Sequence, residues 1–180
     1  MSSRDLRETT MSTTRLYEGR ILNLRTDTVT LPDGNEGQRE IVEHVPAVTI
    51  IPFIRPNKII LIKQWRQATE QVLLEAPAGC MDPGEDPLIA AKRELREETG
   101  YDAKNWIKLS AAYMAPGFCD EYMHFYLAEG LTMGATDMDS DEFIDTEEWT
   151  IEDLDAKIQN HEINDAKTLL GLLLAKPYIA

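Results

Sequence analysis

The chain has 180 residues, 32 acidic against 18 basic, for a net charge of −14. That length suits one substantial domain, or one domain with a small appendage, and that charge repels nucleic-acid backbones, which excludes general DNA or RNA binding. The strongest apolar runs, at 48–54 and 59–62, are too short to span a bilayer and are broken by Pro52 and Pro56, so no membrane role is expected.

Residues 1–14 are polar and aperiodic, which predicts a flexible tail without the apolar stretch of a signal peptide. Residues 17–30 alternate as strands do. The sequence Leu31-Pro32-Asp33-Gly34-Asn35 predicts a turn, and 38–45 pairs back as a hairpin. Together these make a small N-terminal β-rich segment over 15–46. A second hairpin follows, with strands at 47–54 and 58–65 around Arg55-Pro56-Asn57, then a short strand at 72–75. The first helix starts at Asp86, a good N-cap followed by Pro87, and stops at Gly100, where a left-handed residue is needed. Strands are expected at 106–114, 122–128 and 143–149. Thr150 with Asp153 caps a helix to about 159, and a last helix covers about 164–175. This order predicts an α/β domain over 47–180, a mixed sheet flanked by helices.

The helix from Asp86 carries the chemistry. With Glu94 at zero on a helical wheel, Glu97 lies about −60° and Glu98 about +40° away, at roughly 100° per residue. Ala91, Leu95 and Thr99 fall on the neighbouring stripe, suited to packing on a sheet. Three carboxylates on one narrow face repel one another, and a hard divalent cation turns that repulsion into ligation. For an arbitrary KRELREE segment, a solvated charged face is the ordinary explanation. The surroundings reverse it.

Gly79, Glu85, Arg93, Glu94, Leu95, Glu97, Glu98 and Gly100 match the Nudix box, G-x5-E-x7-R-E-U-x-E-E-x-G-U, with Tyr101 at the final apolar position. Seven identities at ordinary residue usage coincide by chance about once in 10⁸ to 10⁹ starting positions. The chain thus resembles the Nudix hydrolase family. The resemblance implies an α/β/α sandwich with a mixed sheet, in which a loop-helix-loop binds divalent metal. Glu94, Glu98 and Glu97 are the implied ligands with the Ala78 carbonyl, while Glu85 and Arg93 support the loop and orient the glutamates. Magnesium is the expected cofactor (manganese serves the same chemistry), with two or more ions per site. The metals also answer the charge: they neutralise a diphosphate entering an acidic protein and activate water.

Three flanking segments resemble the ADP-ribose pyrophosphatase group within that family. AAYMAPGFCDE places Pro116 and Gly117 16 and 17 positions after Gly100, in a segment like SPGFxDE with Ala115 for the usual Ser. On composition alone it is simply a turn. KQWRQATEQVLLEAPAG leads into the box. Within it Arg66 is a candidate phosphate clamp, with an ion pair to Glu70 the alternative, and Glu75 helps hold the substrate site. Trp65 is expected in core or interface. DMDSDEFI supplies Glu142 as candidate base, with Asp141 and Asp139 behind it; by composition it is a solvated loop. The ending INDAKTLLGLLLA also resembles this group's last helix.

Members of the group exchange N-terminal β segments across a homodimer, so a dimer is expected, with Tyr17 stacking on adenine. His44, His124 and His161 lack metal-ligand spacing. Cys80 and Cys119 form no disulfide framework and have no His partner for nucleophilic catalysis, which fits a reducing cytoplasm. The expected reaction is hydrolysis of ADP-ribose to AMP and ribose 5-phosphate. Another nucleoside diphosphate sugar such as GDP-mannose is the near alternative. A nucleoside triphosphate hydrolase fits Pro116 and the N-terminal segment less well, and a non-catalytic Nudix sensor requires eroded glutamates that this chain does not have.

Overall fold

Backbone pairing begins at Thr9, well inside the stretch whose composition predicts a flexible tail. The computed structural model describes residues 5–134 and 143–179. Strand β1 (Thr9–Glu18) pairs antiparallel with β2 (Leu22–Thr30), which pairs antiparallel with β3 (Glu36–His44). Four threonines in β1 favour an extended backbone through their branched Cβ. Thr13 Oγ1 donates to the buried Asp27 carboxylate of β2 at 2.8 Å. Cross-strand pairing therefore overrides the polar composition. Gly34, with a φ of 87°, closes the predicted turn.

This three-stranded sheet forms one unit with Tyr113–Tyr122. The Val42 amide donates to the Phe118 carbonyl at 2.8 Å, and the His44 amide donates to Asp120 Oδ1 at 2.7 Å. Sequence reading separates these two stretches; hydrogen bonds between distant residues join them.

The second unit, Pro46–Ala112 with Met123 onward, is the mixed sheet flanked by helices. Its strands are β4 (Ala47–Ile54), β5 (Lys58–Arg66), β6 (Gln71–Glu75), β7 (Ala78–Cys80), β8 (Tyr101–Tyr113), β9 (Tyr122–Met133) and β10 (Ile144–Thr150). Their order is β10-β5-β4-β9-β8, with β6 beside β5 and β7 beside β4. β4 runs antiparallel to β5 and parallel to β9, hence the mixed character.

Alternation along β4 builds both faces of this sheet. Val48 and Ile50 bury against α1 (Pro87–Thr99) through Ala90, Ala91 and Leu95. Ile51 and Phe53 bury on the opposite side with Leu154 of α2 (Ile151–Gln159) and Leu172 of α3 (Ala166–Ile179). Helix α1 obeys its local signals. Asp86 accepts from the amides of Leu88 and Ile89, Pro87 opens the first turn, and Gly100 takes the left-handed conformation with a φ of 72°. No helix among the described residues is long and apolar enough to cross a membrane.

Candidate active site

The turn Met81–Asp86 and the outward face of α1 bring the box residues together. The Glu85 carboxylate is gripped by Arg93 twice: Nε donates to Oε1 at 3.2 Å and Nη2 to Oε2 at 3.0 Å. The Asp82 amide also donates to Glu85 Oε2, which closes the loop on itself. Hydrogen bonds from Arg93 hold the Glu85 carboxyl below the usual carboxylate range. The same guanidinium donates through Nη1 to Glu94 Oε1 at 2.6 Å and Glu97 Oε2 at 2.9 Å, and through Nη2 to the Cys80 carbonyl at 3.0 Å. One planar fork thus aligns three carboxylates and the loop backbone, which a lysine point charge could not do. Bonding to Glu85 in particular pushes the Arg93 pKa up.

Glu94 and Glu98 are buried although charged, and buried charge persists where partners compensate it. The Ala78 amide donates to Glu98 Oε2 at 2.8 Å, which joins the strand before the loop to the helix after it. Gly79 lies against the Glu94 carboxylate so closely that a Cβ there would collide with it. Glycine at this point of the box lets the backbone pass over the carboxylate without displacing it.

Among the described residues, no three His, Cys, Asp or Glu side chains are gathered into a closed coordination shell. Arg93 stands between Glu94 and Glu97 and satisfies both. The donors still fit a hard divalent cation: all are oxygens, two are buried carboxylates, and the glycine backbone leaves them room.

Arg66 and Glu75 meet nearby, with a changed assignment. Arg66 Nε and Nη2 donate to the two Glu75 oxygens, each at 2.8 Å. Among the described ion pairs, Glu75 rather than Glu70 takes this fork. Glu75 is fully buried and accepts both bonds from Arg66. Burial pushes its carboxyl up, but Arg66 and Lys167 outweigh that and hold it below the ordinary range. Sequence reading missed Lys167 and Thr168, because the only signal was a Lys-Thr pair opening a helix 92 residues after Glu75. Trp65 is not in the core of the chain: it is exposed, with Nε1 donating to Gln67.

The remaining predicted residues divide. Tyr17, Pro116 and Gly117 belong to the N-terminal unit. There Pro116 and Gly117 share a cleft of about 480 Å³ with Arg25, Arg39, Tyr113 and Phe118. Tyr17 is exposed and its ring lies over Gly19. Arg25 and Arg39 went unnoticed because a charged residue on an alternating strand ordinarily faces water. Glu142, Asp141 and Asp139 lie outside the described residues.

Comparison with known proteins places the chain in a family. Residues 43–171 match the NUDIX domain, and residues 8–42 match the nucleoside diphosphate sugar hydrolase N-terminal domain. An ADP-ribose pyrophosphatase of Bacillus subtilis is 40% identical over 94% of this chain and 92% of its own. A methanol dehydrogenase activator of Bacillus methanolicus is 40% identical over 92% and 90%. A GDP-mannose pyrophosphatase of Yersinia enterocolitica is 34% identical over 77% of each. A crystal structure of an ADP compounds hydrolase superposes with a TM-score of 0.88 at 24% identity, covering 98% of this chain and 97% of that one; at that identity the likeness speaks for the fold alone.

Proposed function

This chain belongs to the NUDIX family, and from that membership we propose that it hydrolyses the diphosphate of ADP-ribose, giving AMP and ribose 5-phosphate. The observation that carries the reaction class is the Arg93 fork aligning Glu85, Glu94 and Glu97 beside the buried Glu98. The substrate class is supported by the matched N-terminal domain and by 40% identity to an ADP-ribose pyrophosphatase over nearly the whole chain.

Glu94, Glu97 and Glu98, with the Ala78 carbonyl, would hold the divalent cations, Mg2+ or Mn2+ and two or more in number. When bound, such ions neutralise the diphosphate and make water a competent nucleophile. Everything else falls to the chain. Arg93, fixed by Glu85, presents Glu94 and Glu97 in one orientation, so little reorganisation accompanies substrate entry. Water attacks one phosphorus, a P–O bond forms, and the bridging P–O bond breaks. Glu142 accepts the proton of the attacking water. Arg66, aimed by Glu75, pairs with phosphate oxygens, while Pro116 and Gly117 line the nucleoside side and Tyr17 stacks on adenine.

A homodimer is part of this reading, supported by exposed Leu16, Tyr17 and Ile21 in or beside the edge strand of the N-terminal sheet. A cytoplasmic location is supported by two cysteines not joined in a disulfide. A second reading, GDP-mannose hydrolysis, is favoured by the Yersinia enterocolitica relative. A magnesium-supported panel of ADP-ribose, GDP-mannose, NADH, diadenosine polyphosphates and nucleoside triphosphates decides between them. ADP-ribose is expected to give the highest kcat/KM; preference for a triphosphate refutes the nucleotide-sugar assignment.

A further inference from the structure

Helix α3 reaches the segment that leads into the box through one hydroxyl. The Ala76 amide donates to Thr168 Oγ1 at 2.7 Å, and Thr168 Oγ1 donates to Asp165 Oδ2 at 2.6 Å. Both residues of the first bond are fully buried, so water does not substitute for either partner. Asp165 Oδ2 also accepts from the Thr168 amide and from Lys167 Nζ, each at 3.0 Å, and Lys167 pairs in turn with Glu75. A hydroxyl can accept and donate at once, which this position requires.

From Ala76 the path to Glu98 is two peptide units to Ala78 and then one hydrogen bond. The Pro77 carbonyl accepts from the Ile50 amide of β4 at 2.9 Å, and the Ala78 amide donates to Glu98 Oε2 at 2.8 Å. The segment Glu75 to Ala78 is therefore held from α3 on one side and from β4 on the other, and its last amide fixes a carboxylate. Gly171 lies one turn beyond Thr168, and a Cβ there would stand 2.8 Å from Ile51 Cδ1, so α3 packs closely on the Ile51 side chain of β4.

We infer that Thr168 is a positioning residue for Glu98, acting through the backbone of Ala76 to Ala78, with Asp165 orienting its hydroxyl. The inference rests on the reading that Glu98 holds a divalent cation. Thr168 is fully buried and acts through the backbone: it sets where the Ala78 amide and carbonyl stand. Outer partners of this kind tune metal affinity.

The test is Mn2+ binding by the full-length protein, followed by electron paramagnetic resonance without substrate, alongside kcat and KM. Thr168→Val keeps the shape and removes both hydrogen bonds; if it does not fold, Thr168→Ala takes its place. Mn2+ affinity is expected to fall about tenfold or more, with kcat falling further than KM rises. Thr168→Ser is expected to stay within about twofold of wild type, because the hydroxyl is retained. Val29→Ala, which loosens the buried side of β2 and is not packed in the core around Ala76, is expected to lower thermal stability while keeping wild-type Mn2+ affinity. Wild-type affinity in Thr168→Val, or a serine variant as impaired as the valine, overturns the inference alone. Absence of Mn2+ binding by the wild type overturns the metal reading as well.

Discussion

Gly79 passes directly over the Glu94 carboxylate, with no space between them for a single methyl group. Gly79→Ala must displace that carboxylate. Because Glu94 is flexible at its far end, the melting temperature is expected to fall only slightly. Turnover and metal affinity are expected to drop about 10- to 100-fold. Isothermal titration with Mn2+ and a magnesium-dependent rate assay check this, and an alanine variant with unimpaired turnover refutes the role given to the close approach.

Glu98→Gln retains an oxygen that can accept from the Ala78 amide, so the fold should survive. The charge and one acceptor oxygen are lost. Magnesium-dependent turnover is expected to fall about 10²-fold or more, with a melting temperature close to wild type. Unchanged turnover removes Glu98 from the ligand set.

Arg93 pairs with Glu85, Glu94 and Glu97 alike. Arg93→Met leaves three carboxylates without it, and a loss of about 1–3 kcal/mol is expected in metal-free buffer, from charge-assisted hydrogen bonds at a part-buried site. Mg2+ then replaces part of the missing positive charge, so the thermal shift on adding Mg2+ should exceed that of wild type. Equal shifts would mean that arginine and metal do not share these oxygens.

The pH response of Glu75 has a definite sign. Its folded-state pKa is depressed by Arg66 and Lys167. It therefore contributes stability above the ordinary carboxylate range, and that contribution is lost as pH falls through the lower folded value. Urea midpoints measured from pH 7 down to about pH 3 should decline in the wild type more steeply than in Glu75→Gln. Parallel curves would show that the buried ion pair is not part of the acid response.

Glu142→Gln is expected to lower kcat by at least about 10²-fold, the lower range for loss of a general base. Mn2+ affinity should stay within a few-fold of wild type, because the residue serves the water and not the ion. A neutral effect transfers the proton-accepting role to Asp141 or Asp139, which the same assay identifies.

What could be read from the sequence follows a physical division. The caps of α1 at Asp86 and Gly100, and of α2 at Thr150, are local chemistry within four residues, and they stand where their residue types place them. The one-sided glutamates were equally legible, because helical spacing is a local fact. The strand beginning at Thr9 was not, since its partner β2 decides it and polar threonines say little alone. Arg66 was assigned no contact with Glu75 because the pair forms only when β5 and β6 align. The anchoring of Ala76 by Thr168 spans 92 residues, and nothing in either neighbourhood announces it.

Helical glycines are ordinarily the first positions replaced when a protein is made more heat-resistant, since alanine restricts the unfolded chain and suits a helix better. Gly171 inverts that rule. The methyl group that favours the helix would crowd Ile51 Cδ1, and this is the helix whose Thr168 anchors Ala76. A thermostability screen should retain this glycine, since an alanine there trades a better helix for a crowded one.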